Sequence, residues 1–84
     1  MTAEDSQRPP ARVLDALEDA AKSESRTLAR ASRYLLDHPD EALARPIAEI
    51  AAASRTSPAS IVRLATSLGF SGFRELRAAF REDL

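Results

Sequence analysis

Apolar residues recur every three or four positions along most of the chain, which is the spacing of amphipathic α-helices. The sequence predicts a polar, flexible N-terminal arm over residues 1–10, then one helix from Val13 and a second that contains Leu28. A third helix is expected at Pro46, because proline suits the first helical turn. No stretch alternates apolar and polar residues as a half-buried strand does, so the fold is predicted to be all-α.

Prolines mark the middle of the chain. His38 precedes Pro39, and the residue before a proline is disfavoured from the α region, so the second helix is predicted to end there. Asp40 is expected to cap a short helical turn that continues through Leu43.

The second half of the chain has sharper helix boundaries. Ser57 followed by Pro58 is typical of an N-cap and a first helical position. Gly69 is predicted to end this helix in the left-handed conformation, and Ser71 to cap a last helix. The sum is a small helical bundle of five helices, which contains a helix-turn-helix and follows the N-terminal arm.

The pair of helices between Pro46 and Gly69 has helix-turn-helix spacing, with a break of about three residues between them. Its second, recognition helix is predicted at about residues 57–68. The inner side of that helix follows the i, i+3, i+4, i+7 pattern of a buried stripe. The stripe consists of Ile61, Leu64, Ala65 and Leu68.

The opposite face of the recognition helix predicts contact with double-stranded DNA. At about 100° per residue, Arg63 lies opposite the inner stripe among small residues. Small side chains let a helix enter a major groove about 12 Å wide, where an arginine can pair with O6 and N7 of guanine. Ser57 at the helix start can donate to a phosphate or a base edge. The small residues near Arg63 are Ala59, Ser60, Thr66 and Ser67.

Charge is distributed unevenly, although the net charge is only −1. Residues 1–44 contain six basic and nine acidic side chains (net −3), whereas residues 45–81 contain six arginines and two glutamates (net +4). This asymmetry predicts a basic face in the second half, although arginine-rich helices also occur on plain solvated surfaces.

The last helix carries a stripe of arginines at positions 74, 77 and 81. Either these side chains contact phosphates, or they are solvated with their stems lying on the surface. Arg74 and Ser71 are favoured for DNA contact, because the N–H groups of the turn at Ser71 could themselves hold a phosphate.

Composition argues against several other classes of protein. With no cysteine, the chain has no disulfide framework and no thiolate metal site, which suits the cytoplasm. No apolar run approaches the roughly 20 residues that span a membrane. The single histidine, His38, lies at a helix end, and no catalytic triad or phosphate-binding loop is found. We therefore expect no enzymatic activity, no metal and no cofactor.

The first helix is predicted to be a dimer element, since its apolar stripe is too large to leave in water. The alternative is that this helix folds back on its own domain. A homodimer through the N-terminal helices would place two recognition helices about one DNA turn apart, or a multiple of it. The other function left open is a helical protein–protein interaction or dimerisation module without DNA binding. The stripe consists of Val13, Ala16, Leu17 and Ala20.

The stretch from Leu35 to Leu76 resembles the N-terminal helix-turn-helix domain of the RpiR/MurR family of bacterial transcription regulators. The run LGFSGFREL, over residues 68–76, is the most specific match. The resemblance implies a sequence-specific, dimeric regulator of sugar or amino-sugar metabolism genes. It also implies that Ser57, Ser60 and Arg63 face the DNA. Further matches are Ile47-Ala48-Glu49, Ala59, Val62, the segment Tyr34-Leu35-Leu36 and Pro39.

Three positions depart from the family pattern. Arg55 stands where glycine is usual in the turn, which costs on the order of 1 kcal/mol if φ is positive, although its charge could reach a phosphate. Thr56 replaces an apolar residue, and Thr66-Ser67 replace a basic pair. The family also joins this domain to a C-terminal sugar-isomerase-like domain that senses phosphosugars. Residues 11–84 resemble the helix-turn-helix domain alone, so a phosphosugar effector is expected only with such a second domain.

Overall fold

The computed structural model describes residues 12–84, and this range contains six helices and no strand, which confirms the all-α prediction. The arm predicted over residues 1–10 lies outside the described residues. In chain order the helices are α1 (Val13–Ala20), α2 (Arg26–Asp37), α3 (Pro39–Ala44), α4 (Ile47–Ala53), α5 (Pro58–Ser67) and α6 (Phe73–Asp83).

The helix that raises the number from five to six is α3, which was expected as a single turn. Its N-cap is His38 and its first turn contains Pro39, so the predicted cap at Asp40 is wrong. Proline has the fixed φ of a helix and no N–H to leave unpaired, and it therefore begins the helix itself. Asp40 lies inside the first turn, where a carboxylate is favourable next to the positive end of the helix dipole.

Two further boundaries differ from the prediction by one residue. Pro46 is the N-cap of α4, with ψ of 155°, and lies just outside the first helical turn. Gly72 rather than Ser71 is the N-cap of α6, and it makes no side-chain cap hydrogen bond.

The core is built from one face of each helix, and the inner stripe predicted for the recognition helix belongs to it. Complete burial of a leucine or isoleucine side chain contributes about 1.5–3 kcal/mol, so a few such residues dominate the stability of the domain. The largest apolar side chains that are fully buried are Leu17, Leu35, Ile50, Ile61, Leu64 and Leu76.

Helix α1 packs against α2 and α6 of its own chain. Its residues Val13 and Leu17 are buried in the common core, and the hydroxyl of Ser32 in α2 donates to the backbone carbonyl of Leu17. The carboxylate of Asp83 accepts from the backbone N–H of Val13. Val13, Ala16 and Leu17 of the stripe that suggested a dimer interface are therefore interior, whereas Ala20 is half-buried. The alternative, a helix folded back on its own domain, is the arrangement found.

Candidate nucleic-acid interface

The helix-turn-helix consists of α4, a turn over residues 54–57, and α5. Helix α5 packs against α4 and also against α2 and α6, so three helices hold its inner side. This packing leaves the other side of α5 as the outer face of the domain.

The turn between α4 and α5 reverses direction at a strained residue. Arg55 has a φ of 61°, the left-handed conformation, and it is the one non-glycine residue with positive φ among residues 12–84. Its N–H donates to the carbonyl of Ala52 at 3.1 Å, and the N–H of Thr56 donates to the carbonyl of Ala51 at 2.8 Å. These are the two hydrogen bonds of a Schellman motif, in which glycine usually occupies the position of Arg55.

Hydrogen bonds fasten this turn where the family uses an apolar residue. The hydroxyls of Ser54 and Thr56 lie 2.9 Å apart. Ser54 is buried and donates to the carbonyl of Ile50 at 2.8 Å. Thr56 is thus anchored through Ser54, so its departure from the family pattern leaves the turn supported.

Helix α5 begins as predicted, with Ser57 as N-cap and Pro58 as the first residue. The hydroxyl of Ser57 accepts from the backbone N–H of Ser60 at 3.2 Å. The side chain of Ser60 differs from the prediction: it is 8% exposed, and its hydroxyl lies 3.0 Å from that of Ser57. Ser60 lies about 90° from the centre of the outer face, at the boundary with the core, so packing covers it.

The other predicted residues of α5 are exposed, namely Ala59, Arg63, Thr66 and Ser67. Arg63 is the only charged side chain of this helix. Thr66 donates its hydroxyl to the carbonyl of Arg63 at 3.0 Å, and Ser67 donates to that of Leu64 at 2.7 Å. The outer face therefore presents one long cation among short side chains.

Val62 is a residue of this face that the sequence reasoning did not assign to DNA contact. Its side chain is 41% exposed. The signal was present in the helical period, because Val62 lies about 60° from Ala59 and about 40° from Thr66 around the helix axis.

The basic surface extends beyond the second half of the chain. Arg55 shares a groove of about 440 Å³ with Arg30 and Arg33 of α2, which belong to the half with net charge −3. Arg33 lies 3.7 Å from Asp37 of the same helix. Among the described residues, Arg30 and Arg55 have no carboxylate within ion-pair distance. The charge of each half of the chain does not reveal this arrangement, because only folding brings α2 beside the turn.

At the start of α6, Ser71 and Arg74 are exposed as a DNA contact would require. The backbone N–H of Ser71, however, donates to the carboxylate of Glu75 at 3.0 Å. This backbone hydrogen bond, together with one from the Ser71 side chain, lowers the pKa of Glu75 below its ordinary value. A phosphate at this N–H would have to displace Glu75, so the turn is less open to an anion than the sequence suggested.

The side chain of Arg77 contacts other parts of the domain. Its guanidinium lies 4.8 Å from the centroid of the Phe73 ring and donates to the backbone carbonyl of Arg45 at 2.6 Å. Burial, followed by the nearby charge of Arg81, lowers the pKa of Arg77. Arg77 therefore lies along the surface over Phe73 and links α6 to the connection between α3 and α4.

Residues 12–84 contain neither a metal-ligand group nor a membrane-spanning helix. They contain no group of three or more histidine, aspartate or glutamate side chains arranged to hold a metal ion. No helix of this part of the chain is long and apolar enough to cross a membrane.

The packed helix pair, its tight turn and its capped second helix with an exposed outer face define a helix-turn-helix domain. Residues 11–84 match the helix-turn-helix domain of the rpiR family, and the chain belongs to this family. The resemblance seen in the sequence is thereby confirmed.

Two curated relatives agree with this assignment. The chain is 39% identical over 51 residues to an uncharacterized HTH-type transcriptional regulator, YbbH, of Bacillus subtilis (strain 168). It is 33% identical over 54 residues to an uncharacterized HTH-type transcriptional regulator in the aarA 3' region of Providencia stuartii. The matches cover 61% and 64% of this chain but 18% and 19% of the relatives, so it corresponds to less than a fifth of their length.

Proposed function

We propose that this chain binds a specific sequence of double-stranded DNA and serves as the DNA-binding part of a transcription regulator. The observation that carries the proposal is the outer face of α5, where Arg63 is the single charged side chain among exposed, short ones. Such a face can approach the floor of the major groove closely. The names of the two relatives, both HTH-type transcriptional regulators, support the same role.

Within this proposal the residues divide between base and backbone contacts. Arg63 reads a guanine through O6 and N7. The short side chains of Ala59, Thr66 and Ser67 let the helix approach the base edges closely enough for this contact. Arg55, Ser57 and Arg74 contact phosphates, which position the helix without reading sequence. A phosphate at Ser71 takes the place of the Glu75 carboxylate on its N–H. Ser60 supports the hydroxyl of Ser57 from inside the domain.

Selection of bound sites from random duplex DNA tests the proposal and supplies the site. We then expect Arg63→Ala to lose about 1–3 kcal/mol of binding free energy on that site and to flatten the preference at one base pair. Arg81→Ala is the matched control, since it removes the same charge from an exposed position of α6 and should keep the preference. An Arg63→Ala protein with the parent's sequence preference would contradict the assignment.

The proposal also includes the kind of genes that the regulator controls. Family membership supports control of sugar or amino-sugar metabolism genes, in the cytoplasm. A phosphosugar effector is proposed only for a longer chain with a sugar-isomerase-like domain. Locating the selected sites in the genome of origin tests this part, and sites upstream of unrelated genes alone would contradict it.

Pairing of two chains on two half-sites also remains a prediction, now without α1 as its reason. Val13, Ala16 and Leu17 of that helix are buried within one chain, so its apolar stripe no longer requires a partner chain. Sedimentation at tens of micromolar, with and without a two-half-site duplex, measures the state. A chain that associates with itself and binds no duplex at low salt would favour the alternative, an interaction module without DNA binding.

A further inference from the structure

The exposed side chain of Val62 has no role in the DNA contacts proposed above. Apart from Leu84, Val62 is the only large hydrophobic residue exposed in the described part of the chain. A single exposed valine is ordinary on a protein surface. The position of Val62 is what makes it informative, since it lies on the helix that carries Arg63.

Geometry places Val62 on one flank of the outer face. At about 100° per residue, the centre of that face falls between Ala59 and Arg63, and Val62 lies about 70° to one side of this centre. Ser67 lies about 70° to the other side and ties its hydroxyl to the carbonyl of Leu64. One flank is therefore apolar and branched, and the opposite flank is short and polar.

The fold does not explain a valine at this position. Its neighbours along the chain, Ile61 and Leu64, fill the core, whereas Val62 keeps 41% of its surface in water. A β-branched side chain also has a lower helix propensity than alanine. The exposed part of the branched side chain is thus not needed for packing in the core.

In the major groove, one base carries an apolar group at its edge. The C5-methyl of thymine distinguishes an A·T pair there, and side chains such as alanine, phenylalanine or the methyl of threonine contact it. Building on the proposed function, we infer that the methyl groups of Val62 pack against a thymine C5-methyl, one or two base pairs from the guanine read by Arg63. Val62 is then a specificity-determining residue that selects thymine without a hydrogen bond.

Deoxyuridine provides the test, because it lacks only the C5-methyl of thymidine. In the selected duplex each thymidine near the Arg63 position is replaced by deoxyuridine, one at a time, and binding is measured for the parent chain and for Val62→Ala. We expect one replacement to weaken the parent about three- to five-fold, the effect of losing one buried methyl. The same replacement should leave Val62→Ala unaffected, since the two changes remove the same contact.

Leu84→Ala is the matched control, because it removes an exposed apolar side chain at the end of α6 and should keep the full response to deoxyuridine. Circular dichroism should give the same helix content for Val62→Ala and the parent, and thermal unfolding should show that Val62→Ala still unfolds cooperatively. If the parent binds its site and tolerates every replacement, or if Val62→Ala responds as the parent does, the inference is overturned while the proposed function stands. A parent that binds no duplex overturns both.

Self-association supplies a second way to overturn the inference. If Val62 instead covers a protein surface, the parent should associate in the absence of DNA and Val62→Ala should not. Sedimentation of the two proteins without DNA distinguishes this outcome, and we expect them to behave alike.

Discussion

The two turns that flank α5 have the same backbone arrangement but different residues at the left-handed position. After α4 the chain turns through Arg55, with φ of 61°, and after α5 it turns through Gly69, with φ of 97°. In both turns the next N–H donates to the carbonyl five residues back, at 2.8 Å from Thr56 and at 3.0 Å from Phe70. Hydrogen bonding is therefore equivalent, and the difference lies in the side chain.

This difference in side chain gives the two turns different energetic costs. A left-handed conformation costs an L-residue roughly 1–2 kcal/mol, and glycine avoids that cost. Gly69 therefore adopts the left-handed conformation without strain. Arg55 adopts it with strain, and its side chain places a cation in the groove with Arg30 and Arg33. Strained residues of this kind concentrate where a side chain is needed for binding.

The largest effect is expected at the relaxed turn. A Cβ at Gly69 would meet no atom within 4 Å, so Gly69→Ala tests backbone strain alone. We expect a loss of about 1–2 kcal/mol in the free energy of unfolding, measured by urea denaturation. Gly72→Ser is the control, since it adds a side chain to extended backbone with equally open surroundings, at an N-cap position that serine favours. Equal losses in the two variants would show that the φ of Gly69 is not the cause.

A smaller effect of opposite sign is expected at the strained turn. Arg55→Gly should raise the free energy of unfolding by up to about 1 kcal/mol, because the left-handed strain is relieved. It should also weaken binding to all duplexes and reduce the slope of log K against log salt by about 0.9, one phosphate contact. Arg55→Gln separates the two effects, since glutamine lacks the charge but keeps the cost of the left-handed conformation. Unchanged binding of both variants at low salt would remove Arg55 from the interface.

The smallest expected effect is a dependence of stability on pH, and it involves only the turn after α5. The hydrogen bond from Ser71 holds the pKa of Glu75 below its unfolded value. This carboxylate therefore stabilises the fold above its unfolded pKa, and that stabilisation is lost as pH falls through the lowered folded pKa. Glu75→Gln should flatten this acid dependence slightly in urea titrations at several pH values. Arg55→Gly should keep it, and a Glu75→Gln protein with the parent's acid profile would contradict the assignment.

Local interactions explain why much of this domain could be predicted from the sequence. The N-cap at Ser57 and the left-handed Gly69 involve a residue and its own neighbouring backbone, so a few letters suffice to recognise them. The inner stripe of α5 follows from the helical period alone. The arginine on the opposite face follows from the same period, as does the place of Val62, although its apolar exposure had to be measured.

Only the tertiary structure decided which surfaces the helices share. The stripe of α1 could bury itself in its own chain or in a copy, and periodicity is identical in the two cases. Arg77 donates to a carbonyl 32 residues away, and Arg30 reaches the groove of Arg55 through the packing of α2. Such contacts depend on where whole helices lie relative to one another. The sequence by itself determined the helices and their inner and outer faces, while packing between distant segments decided which arginines stay available to a partner.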